Sequence, residues 1–397
     1  MHRAPLLCTT LDARTVAVAS AGLDASNEVH DPAQVTSWEQ RFARWLGAGH
    51  DAAVRGLGSG RAALRALVDA LGLGEGDEVI VPAFTCRSVT NAIRASGASV
   101  VFADIETDAF GLDAGAVRRA WGPRVRAVLI QHSFGLPGRD LEALLALAKD
   151  RDVQVIEDCA HALGGEWRGR KLGTLGDAAL FSFERGKMLS TIHGGMAVVH
   201  ASAPAHRLNR WVAQAPSPSP ESIRALLASV GRDFRQWCGG ADDPALADAA
   251  ARFPPLPRMW PEEFEGQPCP AYAERMAPVV AALAQVQFDR LDEVLARRTA
   301  QAGVWADWAA AEGFAAARAP AGSAPAWLRF PLWVDAVTKA APAALESRLD
   351  VEVGLWFTTP EHPVPASAPG CPRGTEACAR VVNLPTLLPP GHPWAAR

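Results

Sequence analysis

Four short stretches of this sequence carry side chains whose types and spacing suit chemistry around a bound phosphate. Gly58-Ser59-Gly60-Arg61 stands directly before a helical pattern. Small residues let the backbone approach a ligand, and N–H groups at a helix start attract an anion. Taken alone, it also looks like any glycine-rich turn. Ile156-Glu157-Asp158-Cys159-Ala160-His161 ends a buried strand on two acids. A buried carboxylate needs a partner. Two readings stay open: an ion pair or helix cap, or a carboxylate that keeps a pyridinium nitrogen protonated and makes the ring a stronger electron sink. Phe181-Ser182-Phe183-Glu184-Arg185-Gly186-Lys187 sets a hydroxyl between two aromatics and a lysine after a short turn. Ser182 can donate to a phosphate. Lys187 is either a solvated charge, as lysines usually are, or a partly desolvated amine that forms a Schiff base. Gly194-Gly195 can make a tight turn that returns the next strand along the sheet.

These residues need elements to position them, and in open parallel sheets ligands sit at the carboxyl ends of strands. From Trp38 to His200 helical and strand-like patterns alternate. Helices are predicted over Trp38–Leu46, Arg61–Leu71 (ending at Gly72 and Gly74), Val89–Ala95, Ala114–Trp121 and Leu141–Lys149. Strands are predicted over Glu78–Val81, Ser99–Ala103, Ala127–Gln131, Val153–Ile156, Ala178–Phe183 and Gly195–Val199. Short apolar strands alternating with helices imply a mainly parallel sheet covered on both faces. From Ser202 the composition changes. Proline-rich breaks at Ser217–Ser222 and Pro254–Pro261 flank helical patterns over Ile223–Trp237 and Ala245–Ala251. One or two long helices follow over Arg275–Ala311. Strands are then predicted over Leu328–Val334 and Val351–Phe357, with a helix near Pro342–Arg348 between them.

Composition narrows the class. The 397 residues suit two domains. A net charge of −4 gives no reason to expect nucleic acid or an anionic membrane as partner. No apolar run reaches the roughly 18–20 residues of a spanning helix, and residues 1–10 lack the apolar core of a secretory signal. The expected location is the cytoplasm. The seven cysteines are odd in number, scattered and without a C-x-x-C pair, so reduced thiols are expected. The ten histidines lack metal-ligand spacing, and no metal is expected.

The order and spacing of these stretches resemble the DegT/StrS-type sugar aminotransferase family, pyridoxal-phosphate (PLP) enzymes of fold type I. Gly76-Asp77-Glu78-Val79-Ile80-Val81-Pro82 looks like the family's run as it stands. Val155-Ile156-Glu157-Asp158, Gly169-Arg170-Lys171-Leu172-Gly173 and Phe181-Ser182-Phe183 with Lys187 add to it. The likeness covers about Trp38–His200 and about Met276–Thr386.

The resemblance implies a large α/β PLP-binding domain over 36–270, with a mainly parallel sheet and a divergent, helical, proline-rich segment at 202–270. It implies a smaller C-terminal α/β domain over 271–397, joined by residues 1–35. Lys187 falls on the family's Schiff-base lysine, Asp158 on the acid paired with the pyridinium nitrogen, and His161 beside the ring. Ser182 falls on a phosphate ligand, and Gly60 and Arg61 on the turn whose N–H groups hold the phosphate. The implied activity is transfer of an amino group from an amino-acid donor, commonly glutamate, to a keto substrate such as a nucleotide-linked keto sugar. The implied assembly is a homodimer with a shared active site.

The chain also departs from the family pattern. Cys86 stands where an aromatic usually stacks on the ring, Arg61 where Thr is usual, and His193 where Glu is usual. Tyr272-Ala273-Glu274-Arg275-Met276 lacks the Asn that reaches a neighbouring subunit. Two other functions fit the scaffold: a PLP-dependent dehydratase, whose relatives carry His in place of the lysine, and a catalytically silent regulatory or binding homologue. Lys187 argues against the first. Lys187 together with Asp158 argues against the second. His362 is either a substrate contact or a loop histidine, and Arg329 is a candidate for a donor carboxylate.

Overall fold

The computed structural model describes residues 3–7, 10–241, 243–267, 269–389 and 391–396. Cys8 lies outside the described residues, and Cys159, Cys269, Cys371 and Cys378 are free thiols. The strands predicted up to Val199 all form, with ends shifted by at most two residues, and they belong to a seven-stranded, mainly parallel sheet. The chain divides into two compact units, the first holding Leu73–Asp177 and Leu295–Arg397, the second Thr9–Gly72 and Ala178–Val294.

In the first unit four strands run parallel in the order Gln154–Asp158, Val125–Gln131, Glu78–Pro82, Ser99–Ala103. They are apolar through their centres because helices cover parallel strands. Arg87–Arg94, Ala114–Ala120 and Leu141–Asp150 are the intervening helices. The C-terminal part contributes an antiparallel pair, Arg329–Trp333 with Val381–Pro385. Phe330, Leu332, Val382 and Leu384 of that pair pack with Trp305 and Trp308 of the long helix Leu291–Ala311.

In the second unit three strands run antiparallel: Ala53–Leu57 pairs with Gly195–Val199, which pairs with Ala178–Ser182. Helix Ala33–Leu46 closes over them. Its Trp38 and Phe42 meet Phe181, Phe183 and Phe288 edge-on, at ring separations of 5.0–5.9 Å for the closest pairs. Helix Gly60–Leu71 starts from the N-cap Ser59, whose Oγ accepts from Ala62 N, and ends at left-handed Gly72.

Some expectations shift. The pattern over Arg275–Ala311 resolves into Pro278–Phe288 and Leu291–Ala311. The break falls at Asp289, whose carboxylate is taken by Arg14 and Arg41. Val351–Phe357 is not a strand. It makes only isolated bridges, Val351 with Ala4 and Gly354 with Asn383. Beyond Gly354 the Asn383 side chain, not a ladder bond, reaches the chain: its Nδ2 donates to Trp356 O at 3.3 Å. Helices Ser202–Gln214 and Pro372–Arg380 form where no helix is predicted. Among the described residues no helix is long and apolar enough to cross a membrane.

Candidate active site

The turn before helix Gly60–Leu71 is packed too closely for any side chain but hydrogen. A Cβ on Gly60 would lie 2.8 Å from Ser182 Cβ and 3.0 Å from its Oγ. A Cβ on Gly195 would lie 2.5 Å from Ser59 O. Gly195 therefore lies against the backbone of Ser59 and Gly60, and Gly60 lies against the Ser182 side chain. The helix's first N–H groups, at Gly60 and Arg61, have no acceptor within the helix itself. The Ser182 hydroxyl, which accepts from Glu184 N at 3.3 Å, lies against that helix start. A helix N-terminus with an adjacent hydroxyl suits a phosphate.

Lys187 sits in the hairpin that joins Ala178–Ser182 to Gly195–Val199. Phe183 N donates to Gly194 O at 2.8 Å and Thr191 N to Phe183 O at 2.8 Å, which closes the base of the loop. Lys187 N donates to Glu184 O at 3.0 Å across left-handed Gly186 (φ 81°), a tight turn that glycine permits. Ser182 and Lys187 thus leave one strand end together, and the lysine is half-buried.

In the first unit the two adjacent acids take opposite sides because successive strand residues face opposite ways. Glu157 is fully buried and fully occupied. Its oxygens accept from Leu175 N at 2.6 Å, Gly176 N at 2.8 Å and Gly173 N at 2.9 Å, and lie 3.1 Å from His132 Nε2. Burial opposes its charge, but these donors prevail and hold its pKa below the ordinary value. His132, Glu157 and Cys159 also bring ligand-type atoms together. The carboxylate is filled by hydrogen bonds, and burial pushes the Cys159 thiol well above its usual range.

Asp158 takes the other side of the strand, where Oδ1 accepts from Ala160 N at 2.9 Å. His161 Nδ1 accepts from Phe134 N at 3.2 Å. Its ring stacks on Trp356 at 5.8 Å and on Phe357 at 6.5 Å, with interplanar angles of 15° and 7°. Cys86 packs against the cluster that holds Phe84, Phe110, Phe134 and Phe357, as does Trp356.

The sequence profile of the DegT/DnrJ/EryC1/StrS aminotransferase family matches residues 17–388. The chain belongs to this family. Among curated relatives, 3-amino-5-hydroxybenzoate synthase of Amycolatopsis mediterranei is 38% identical over 165 residues, 42% of this chain and 42% of that protein. The spore coat polysaccharide biosynthesis protein SpsC of Bacillus subtilis is 32% identical over 270 residues, 68% of this chain and 60% of SpsC. The chain thus spans 42% and 60% of the length of these two relatives. Over the whole fold, DesV of S. venezuelae, solved in complex with a ketimine intermediate, superposes with a TM-score of 0.74 at 25% identity, covering 99% of this chain and 95% of DesV. The PLP form of the sugar aminotransferase homologue Spr1654 from Streptococcus pneumoniae matches the fold with a TM-score of 0.74 at 18% identity, over 97% and 94% of the two chains. PLP is the cofactor of this family.

Within the family frame, the unusual residues have particular surroundings. The Arg61 guanidinium turns away from the helix start to Glu263, 2.5 Å from Oε2, and lies over the Trp260 ring at 5.2 Å. What Arg61 offers at the turn is its backbone N–H. His193 is buried edge-on against Trp260, with Nε2 donating to Pro257 O at 3.1 Å. Burial first, then the charges of Arg61 and Arg185, lowers its pKa to about 3, so it is neutral near pH 7. Arg329 is only 1% exposed, and its guanidinium lies 5.7 Å from the Trp356 ring centre. His362 sits half-buried, its Nδ1 2.9 Å from Thr358 Oγ1. Neither Glu263 nor Trp356 stands out in the sequence. Glu263 lies in a four-residue helix, too short for a periodic pattern to single it out.

Proposed function

We propose that this protein is a PLP-dependent aminotransferase that moves an amino group from an amino-acid donor, glutamate first, to a keto acceptor. The observation that carries this reading is the joint placement of Gly60, Ser182 and Lys187. The cradle at Gly60 has no room for a Cβ, borders a hydroxyl, and shares a strand end with the half-buried lysine. These residues fit a phosphate-bearing aldehyde cofactor better than they fit a structural turn, which would need neither the lysine nor the hydroxyl.

When bound, PLP supplies an electron sink for the charge that develops at the donor's α-carbon. The protein's groups do the rest. The N–H groups of Gly60 and Arg61 and the Ser182 hydroxyl bind the phosphate. Lys187 would hold the cofactor through Nζ, and its amine would take the proton at the donor's α-carbon. The Asp158 carboxylate holds a proton on the ring nitrogen. His161, backed by Trp356 and Phe357, packs beside the ring, and Cys86 offers a small apolar surface. For the acceptor we favour a keto sugar or a related cyclic ketone. Relatives named for GDP-perosamine, for a 3-dehydro-glucosamine nucleotide and for scyllo-inosose derivatives support that range. A homodimer is the assembly we propose.

The purified protein is expected to absorb visible light when loaded with PLP. Borohydride should bleach the band and leave the cofactor mass on the Lys187 peptide. Colourless protein that takes up no added PLP, or a label on another lysine, would end this reading. A screen of keto acceptors after loading with glutamate identifies the substrate.

A further inference from the structure

Four departures from the family pattern look independent along the chain: Arg61, His193, the segment at 202–270 and the altered run at Tyr272. In the second unit they meet in one buried network. Glu263 is fully buried and Arg61 is 7% exposed. Glu263 Oε2 receives Arg61 Nη1 at 2.5 Å and Trp260 N at 2.8 Å, while Oε1 receives Tyr272 Oη–H at 2.8 Å. Arg61 also donates from Nη1 to Arg258 O at 3.2 Å and from Nη2 to His193 Nδ1 at 3.4 Å. The second residue flanking Gly60 is tied to the same segment, since Ser59 Oγ donates to Ala271 O at 2.5 Å. Both neighbours of the phosphate-holding glycine are therefore anchored to residues 254–272.

The energetics favour a device over an accident. A buried ion pair is expensive to desolvate and holds only when its remaining hydrogen bonds are met. Here they are met from two side chains and two backbone groups. Burial would depress the Arg61 pKa, yet the carboxylate of Glu263 more than offsets it, and the guanidinium stays charged. Because Arg61 is the second residue of helix Gly60–Leu71, the direction of its guanidinium fixes the helix start whose N–H groups meet the anion.

We propose that Glu263 is a positioning residue: through Arg61 it holds the 254–272 segment against the turn at Gly60, so that phosphate binding and docking of the segment stabilise one another. This rests on the reading of Gly60 as part of the PLP phosphate site. Coupling of this kind is reciprocal. In the full-length protein, PLP should slow hydrogen exchange at the Trp260 and Glu263 amides. In Lys187→Ala, which prevents covalent attachment, PLP should still slow it. Glu263→Gln should raise the PLP Kd at least tenfold, read by absorbance titration, and abolish the added protection. Its saturated absorbance band should stay at the wild-type wavelength, because the ring environment is untouched. Arg61→Thr/Glu263→Gln removes both charges and leaves no lone buried ion. Its Kd should remain raised. A Kd restored to the wild-type value in that double variant would overturn the proposal, since the single variant would then report only an unpaired buried arginine. Exchange in the segment unchanged by PLP would overturn it too. If the wild-type protein itself binds no PLP, the reading of the site fails instead.

Discussion

The two units hold their candidate residues by different physics. In the second, the turn at Gly60 and the hairpin of Lys187 are held by charge and backbone bonds: Arg61 to Glu263, Arg185 to Asp233 at 2.6 Å, His193 to Pro257. In the first, His161 and Cys86 are held by stacked and packed rings, and the ions nearby are spent on structure, as at Glu157. An anion needs fixed N–H and O–H donors, so a network that cannot slip serves it. A flat ring needs surface, and aromatic packing supplies it without directional demands. The lesson is that the departures around Gly60 come as a connected set, whereas Cys86 departs from the pattern within a packed aromatic cluster.

The comparison can be broken or sharpened by substitution. Lys187→Ala should cost the most, about 10²–10⁴ in turnover, since it removes the proposed attachment point and proton carrier. Steady-state rates with glutamate and the accepted ketone measure it, and borohydride should then fix no cofactor. Asp158→Asn should lower turnover by about 10²–10³ with little change in melting temperature. A variant that melts far below the wild type would assign Asp158 to structure, like its neighbour. Glu157→Gln is expected to do the opposite. It should destabilise the fold by about 3–5 kcal/mol, as loss of a buried charged partner does, seen as a lower denaturation midpoint.

The same carboxylate predicts the acid side of the stability curve. The folded pKa of Glu157 lies below its ordinary 4.5, so its contribution is complete above that value and fades as pH falls through the folded pKa. His193 acts in a window that opens at higher pH. Its folded pKa of about 3 lies under the ordinary 6.5, so its contribution is whole above pH 6.5 and declines as pH drops towards 3. Replacing His193 by Gln should flatten stability between those values, measured by melting temperature against pH. This is the smallest effect of the set. An unchanged pH profile in His193→Gln would show that the histidine titrates normally and is not sealed in the network.

Much of the sheet was legible because buried parallel strands are short apolar runs between helical patterns, and the strands from Glu78 to Asp158 read that way. The helices at 223–237 and 245–251 were visible through their own periodicity. Val351–Phe357 misled because an apolar run signals burial, not pairing: its backbone pairs with Asn383 only at Gly354, and further on Asn383 reaches it through a side chain. Pro372–Arg380 was missed because proline and glycine near a helix start mask its pattern, although proline suits the first turn. Gly60, Asp158, Ser182 and Lys187 stood out by residue type and order. Glu263 did not, since nothing local distinguishes it from a surface glutamate.

By itself, the sequence determined the family, the fold class and the residues proposed to bind and work the cofactor, because those depend on local pattern and on motifs kept in order along the chain. Only the tertiary structure decided which of two adjacent acids is committed to the fold, that Arg61 faces Glu263 and not an anion, and that Trp356 and Phe357 back His161. Each of these joins residues tens to hundreds of positions apart, or depends on the face a side chain takes once its strand is paired. Such choices are made by burial and by the need to satisfy every buried polar group, and no local spacing carries them.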